Sequence, residues 1–358
     1  MKSKKKTLFI ILIIIILIVT TQNYLYINSN AVTGTQANVA VLVSNPQDPY
    51  LALITQGLEN IEKNNKDKVK FTFYDTKFNQ SIEAETIDTI LKSNVDLILG
   101  NLVDTKVDTI ENFIDKIKQK NIPAVLFNSE PPVITNKMNA YKKFIIVTTD
   151  PKEAGTLQGK LIVDEWNKNK STIDKNKDNI IQYVMLQGER NNVGAIERTK
   201  SSISTIEDSG IKTQELSRKV LSWNQQLAKE AIEALFLQSG NKIEMIISNN
   251  DAMAIGAIEA LQKYGYNNGD PTKTIPVFGI DGIPAAQELI KKGFMTGTVF
   301  EDTNDTAEAL YKVGLNLVYN IPPLEDTPYK FAKAETVIRI PYRGVITHWN
   351  WGLAKRKK

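Results

Sequence analysis

Apolar side chains come in short runs along the chain, and each run stops at a cluster of polar residues. The clearest case is Met245-Ile246-Ile247, the mark of a buried strand, which ends at Ser248-Asn249-Asn250-Asp251. Those four residues can cap a helix, and Ala252 to Leu261 reads as one. The pattern repeats at once. Ile275 to Ile280 is a second strand ending on Asp281, Pro284 to Lys292 a second helix, and Thr296 to Phe300 a third strand ending on Glu301. Three successive strands therefore deliver Asn250, Asp281 and Glu301 at their carboxyl ends, where open α/β sheets bind ligands. Polar residues also cap ordinary strand ends, so each alone says little; three in a row point to a site.

Upstream, Val39–Val43 is a strand that ends in Ser44-Asn45-Pro46-Gln47-Asp48-Pro49-Tyr50. A helix follows over about Leu51 to Asn64, with Leu51, Ile54, Leu58 and Ile61 at helical spacing. Strands at Lys70–Tyr74, Val95–Leu99 and Ala124–Phe127 alternate with helices at Ile82–Lys92 and Val107–Lys120. The third strand ends on Gly100-Asn101. After Asn128 the pattern restarts: strands at Phe144–Val147 and Ile181–Leu186, with helices at Pro151–Asn167, Ala195–Ser209 and Leu227–Leu237. Thr336 to Ile340 is a late strand, and the tail after Gly344 reads as a surface strap. The expected class is α/β, with two similar doubly wound parallel-sheet lobes joined by a hinge. The expected division is 38–127 with about 302–338 for the first lobe, and 128–301 with about 339–352 for the second. The first crossover then falls near Phe127 to Pro131.

A length of 358 residues suits two domains, and 42% hydrophobic with 23% charged residues suits a soluble globular body. The formal charge of +4 misleads. Lys2, Lys4, Lys5 and Lys6 open the chain and Lys355, Arg356, Lys357 and Lys358 close it; without those eight, 36 basic residues face 40 acidic ones. This balance does not mark a nucleic-acid surface. The opening lysines precede an unbroken apolar run from Leu8 to Val19, the n- and h-regions of a secretory signal, with Ser29-Asn30-Ala31 as a cleavage site. If Tyr24 to Ile27 also enters the bilayer, residues 1–31 are instead a signal anchor. Either way the bulk of the protein is expected outside the cytoplasm. There is no cysteine, hence neither a disulfide nor a lipidated N-terminal cysteine.

Two lobes behind an export signal suggest a clamshell that closes on a small solute. Asp48, Asn101, Asn250, Asp281 and Glu301 stand at strand ends and accept hydrogen bonds from hydroxyls. Arg198 offers a planar fork of donors in the first turn of a helix. Tyr50 and Trp223 lie in loops beside strand ends, where an aromatic face stacks on the C–H face of a pyranose.

At these residues the chain resembles the bacterial galactose/glucose-binding proteins, solute receptors of sugar ABC importers with the type I periplasmic-binding-protein fold. The resemblance runs from about Asn38 to Gly344. It is densest in GNLVD (100–104), GTLQGKLIVDEW (155–166), GERNNVGAIERT (188–199), NNDAMAIGAIEAL (249–261), PVFGIDGIPAA (276–286) and GTVFEDTND (297–305). It implies sugar contacts at Asp48, Tyr50, Asn101, Arg198, Trp223, Asn250 and Asp281, all matching in chemistry. It also places Asn192 and Gly194 where the family has a histidine and an aspartate, and Glu301 where it has an asparagine. The stacking frame is thus kept and the hydroxyl code altered.

The resemblance further implies a structural Ca2+ site. Asp174, Asn176 and Asp178 hold positions 1, 3 and 5 of an EF-hand-like loop, with the Ile180 carbonyl at 7 and Gln182 at 9. Position 12 is Met185, no ligand for a hard cation, and the missing carboxylate comes from Glu244. On spacing alone, a solvated polar turn fits this stretch as well. Partners implied are a monosaccharide and ABC importer membrane subunits, with the receptor a monomer. The alternative is a membrane-anchored sugar sensor partnering a histidine kinase. An enzyme is disfavoured: the sole histidine is His348, there is no cysteine nucleophile, and no phosphate-binding loop follows the first strand.

Overall fold

A computed structural model describes residues 36–332 and 334–347. The apolar N-terminal segment, His348 and the basic tail lie outside the described residues. The described residues form two six-stranded sheets. The first contains β1 (Ala37–Val43), β2 (Val69–Asp75), β3 (Leu97–Gly100), β4 (Ala124–Phe127), β5 (Phe144–Thr148) and β11 (Val337–Arg339), in the order β11-β5-β4-β3-β1-β2, all parallel. The second contains β6 (Ile180–Gln187), β7 (Lys212–Val220), β8 (Met245–Ser248), β9 (Val277–Asp281), β10 (Gly297–Phe300) and β12 (Val345–Thr347). Its order is β12-β10-β9-β8-β6-β7, with only the β10–β12 pair antiparallel.

Each sheet reverses its winding between its first strand and its third, β1/β3 and β6/β8. Ligands of open α/β sheets bind beyond the carboxyl ends of the strands at such a switch point. Helices cover both faces, which is why most strands are apolar throughout rather than alternating. The helices of the first lobe are α1 (Pro49–Asn64), α2 (Gln80–Ile90), α3 (Val107–Gln119) and the short α4 (Asn136–Ala140). Ile54 and Leu58 of α1 are fully buried, each contributing about 1.5–3 kcal/mol of transfer free energy. Those of the second lobe are α5 (Pro151–Ile173), α6 (Val193–Asp208), α7 (Gln225–Ser239), α8 (Asp251–Lys263) and α9 (Pro284–Lys291); α10 (Thr303–Val318) returns to pack on α1.

Three expectations are corrected. β5 pairs with β4, Ala124 opposite Phe144, so it belongs to the first sheet. The first crossover therefore follows Thr148, not Phe127 to Pro131. An unbroken βα alternation carries no local mark of where the chain changes sheets. Second, β7 was not expected; it is an edge strand of largely exposed polar residues, without the apolar run that marks a buried strand. Third, the stretch after Gly344 is not merely a strap, because Val345–Thr347 pairs antiparallel with Gly297–Val299.

Over the described residues the chain passes between lobes three times, and the crossings are tied together. The Ile340 amide donates to the Thr148 carbonyl at 2.8 Å, and the Arg343 amide to that of Phe300 at 2.9 Å. The Tyr342 hydroxyl donates to Thr149 Oγ1 at 2.8 Å. Glu301 lies within this hinge.

Candidate functional site

Between the switch points lies a cavity of about 150 Å³. An engineered protein cavity of about that volume admits one six-membered ring. The first lobe lines it with Ser44, Asp48, Tyr50, Phe78, Asn101 and Asn128; the second with Glu189, Asn192, Arg198, Trp223, Asn250 and Asp281. Eight of the nine expected sugar-site residues thus converge. Glu301 does not line the cavity.

Arg198 is the central cation. Its Nη1 donates to the Asn249 carbonyl at 2.9 Å and lies 3.5 Å from Asp281 Oδ1, while its buried Nε has no hydrogen-bond partner among the described residues. Its guanidinium stands 5.9 Å from the ring centre of Trp223, close enough for a cation–π contact. Local sequence sets its depth: a Cβ on Gly155 of α5 would lie 2.5 Å from the Arg198 carbonyl, so only glycine there lets α6 come this close. Trp223 depends on a glycine too. A Cβ on Gly188 would fall 2.4 Å from its indole, and Trp223 itself has a left-handed backbone (φ 63°). Its ring is half-buried.

Asp281 also departs from ordinary backbone, with φ 120°, a strain that accumulates at functional sites. Burial pushes its carboxyl well above the usual range against the pull of Arg198, and the charges of Asp251, Glu301 and Asp48 push the same way. Asn250 caps α8 through Oδ1, accepting from the Met253 amide at 3.0 Å, and its Nδ2 donates to the Trp223 carbonyl at 3.4 Å. Asn192 caps α6.

The first lobe's groups are more fully engaged. Asp48 accepts from the amides of Tyr50 (2.9 Å) and Leu51 (3.0 Å), because α1 begins at Pro49 rather than Leu51 and Asp48 is its cap. Asn101 accepts from the Ser44 hydroxyl and donates to the Phe127 carbonyl at 3.2 Å, so both ends of its amide are used within its own lobe. The Tyr50 hydroxyl donates to Glu301 Oε1 across the lobes. The carboxylate that resemblance made an odd sugar contact is instead a hinge group, 2% exposed, fastened to the opposite lobe. Burial raises its pKa against the opposing effects of Arg198 and of hydrogen bonds from Tyr50 and Thr149.

Glu189 was not singled out from the sequence. It lines the cavity, and burial raises its pKa against the opposing effect of the Asn192 and Trp223 side chains. One signal was available, its place directly after a strand end at Gln187-Gly188. Asp251, in the capping cluster after β8, is no contact. It accepts from Thr298 Oγ1 (2.6 Å) and the Ile283 amide (2.9 Å) inside the second lobe.

The expected metal residues surround a different loop, between α5 and β6. Asp174 accepts from the amides of Asp178 and Asn179, each at 3.1 Å, and Asn179 at position 6 takes φ 63°, the left-handed turn such a loop requires. Glu244 reaches the loop, accepting from the Lys175 amide at 2.7 Å and the Gln182 amide at 3.2 Å. Gln182 Oε1 is buried with no donor among the described residues. An all-oxygen set with an orphaned acceptor fits a hard cation. Among the described residues, no three acidic, histidine or cysteine side chains gather to hold a metal by themselves, so amide and carbonyl oxygens would have to supply part of any shell here.

Residues 39–320 match the model of a periplasmic binding protein domain. The chain belongs to the periplasmic binding protein family. It is 35% identical over 308 residues to the D-galactose/methyl-galactoside binding periplasmic protein MglB of Haemophilus influenzae, covering 86% of this chain and 88% of that one. Among solved structures it matches an ABC transporter solute binding protein from Bacillus halodurans with bound myo-inositol, at 23% identity and TM-score 0.71 over 90% of this chain and 99% of that one. It also matches a periplasmic solute binding protein from Actinobacillus succinogenes with bound D-allose, at 18% identity and TM-score 0.72 over 89% and 100%. Periplasmic binding proteins hold solutes outside the cytoplasm and are not enzymes.

Proposed function

We propose that this periplasmic binding protein takes a monosaccharide of the galactose/glucose kind into the cleft and presents it to the membrane subunits of an ABC importer. One observation carries the reading: a half-buried indole seated on Gly188, beside a guanidinium with an unpartnered N–H and a buried carboxylate, around a cavity sized for one ring. The indole offers a face to the C–H side of a pyranose, and Arg198, Asp281 and Asn250 offer donors and acceptors to its hydroxyls. The relatives' sugar and polyol ligands support the same class, and their association with ABC importers favours delivery over sensing. Titration calorimetry of the purified protein with galactose, glucose, xylose, ribose and arabinose tests this. Galactose or glucose is expected to bind; silence with all five overturns the sugar reading.

The loop at 174–182 with Glu244 we propose as a structural calcium site, supported by the orphaned Gln182 oxygen and the left-handed turn at Asn179. A ligand present at a hundredfold its dissociation constant stabilises a fold by about 2.7 kcal/mol. Melting with calcium is therefore expected several degrees above melting with a chelator, and superimposable melts rule the ion out.

A further inference from the structure

Among the residues that line the cavity, four carboxyl side chains face a single cation, Arg198. Three of the four are compensated within the protein. Asp281 lies 3.5 Å from Arg198. Glu130 receives both terminal nitrogens of Arg339, Nη2 at 2.7 Å. Asp48 caps α1, where two backbone amides and the positive end of the helix dipole stabilise its charge. Glu189 is the fourth, and none of these devices serves it. Among the described residues no lysine or arginine pairs with it. Arg190, its neighbour in sequence, instead lines a separate hollow with Ile196 and Val220.

Glu189 is placed to meet a ligand. It directly follows Gly188, on which the indole of Trp223 is seated, and the Trp223 and Asn192 side chains are the neutral groups that act on its carboxyl. The one charge that acts on it belongs to the other lobe. Asp104, in the loop after β3, pushes the Glu189 carboxyl up, in the same direction as burial. Val103 and Thr105, on either side of Asp104, line the cavity. Asp104 has a cation of its own, Lys106 Nζ at 3.0 Å, but that lysine is two-thirds exposed and serves it alone. Closing the lobes over a neutral ligand thus dries Glu189 with another carboxylate as its charged neighbour. A cation held there relieves both the burial and the repulsion.

Resting on the sugar reading, we infer that the cleft takes an amino sugar, a hexose ring with a protonated amine in place of one hydroxyl, stacked on Trp223 with the amine toward Glu189. An amine replaces a hydroxyl atom for atom, so a cavity of about 150 Å³ needs no further room. Trp223, Asn250 and the Arg198–Asp281 pair hold the ring; Glu189 reads the charge it carries. A hydroxyl gives Glu189 a hydrogen bond and leaves its charge uncompensated. An ammonium gives both, and a hydrogen bond between charged partners is about twice as strong as a neutral one.

The test is calorimetry on the purified protein at pH 7 and low salt, comparing glucose and galactose with their 2-, 3- and 6-amino analogues. One amino sugar is expected to bind roughly tenfold tighter than its parent hexose. Glu189→Gln, which keeps the shape and removes the charge, should bring that ratio to about one. Asp104→Asn should lower it by a smaller factor, and it carries the test if Glu189→Gln fails to fold. Amino sugars binding no tighter than their parents overturn the inference and leave the monosaccharide reading standing. A tenfold preference that survives in Glu189→Gln overturns it too, because another group then reads the amine. Silence with every hexose and amino hexose overturns the sugar reading and the inference together.

Discussion

The two walls of the cleft have similar polar residues at the ends of similar strands, yet they are in different states of readiness. On the second lobe, Arg198 keeps an unpartnered N–H, Asp281 is a buried carboxylate only 3.5 Å from its cation, and the Trp223 face is half open. On the first, Asn101 is used at both ends of its amide, as Asn250 is on the second, Asp48 caps α1 through one carboxylate oxygen, and Tyr50 is fastened to Glu301. A group already satisfied by the protein gains little from a ligand, whereas a buried group without a partner gains the whole desolvation cost back. On the proposed sugar reading, the second lobe captures the ring and the first closes over it. Closure follows because only the closed state makes both sets of contacts.

That asymmetry can be broken by substitution. Arg198→Ala should have the largest effect, weakening sugar binding by about a hundredfold. It removes charge-assisted hydrogen bonds and leaves Asp281 buried beside no cation. Calorimetry on a variant with unchanged circular dichroism reads this directly, and a loss of only a few-fold would mean the first lobe does the capturing. Trp223→Ala should cost roughly thirtyfold, the scale of a buried aromatic hot spot. Equal affinities for wild type and variant would misplace the stacking face.

Tyr50→Phe is the sharper probe of the first lobe. It removes only the hydroxyl that bridges to Glu301, leaving a buried carboxylate short of a donor, at about 1–3 kcal/mol. The expected signature is a lower melting temperature and a larger ligand-free radius of gyration by small-angle scattering, with a several-fold affinity loss because closure must then be driven by the ligand alone. An unchanged radius would show that the bridge does not hold the lobes.

The smallest effect concerns the loop that carries Asn101 to Thr105. Glu83, 2% exposed, accepts from the Val103 amide at 2.7 Å, and burial raises its carboxyl to about 7 from an ordinary 4.5. Between those values the folded protein holds a proton that the unfolded chain has lost. Stability from this group is thus complete below about 4.5 and is lost as pH rises to about 7. Burial also raises the Asp251 carboxyl, which acts in the same direction from the second lobe. Melting temperature should fall as pH rises across this window, and Glu83→Gln should make the slope shallower without abolishing it. Identical slopes would mean that Glu83 is already ionised in the folded protein.

Much of this molecule was legible from residue order alone. Short apolar runs broken by polar stops determined the βα alternation and hence two doubly wound sheets, because a strand covered on both faces must be apolar throughout. The same stops located Asn250 and Asp281, since strand ends are where backbone pairing ceases and polar side chains take over. Sheet membership was decided only in three dimensions: β5 joins the first sheet through hydrogen bonds to β4, a partner that no local pattern names. Strands β7 and β12 escaped because one is polar and the other is three residues long. At the site, sequence determined which chemical groups are available, and packing decided which are free. Glu301 could be read as a hydroxyl acceptor from its strand end, but the hinge brings it to Tyr50, 251 positions away, and the hydrogen bond made there removes it from the cavity. Whether a polar group serves the ligand or the fold depends on its neighbours in space, and those neighbours are set by tertiary packing.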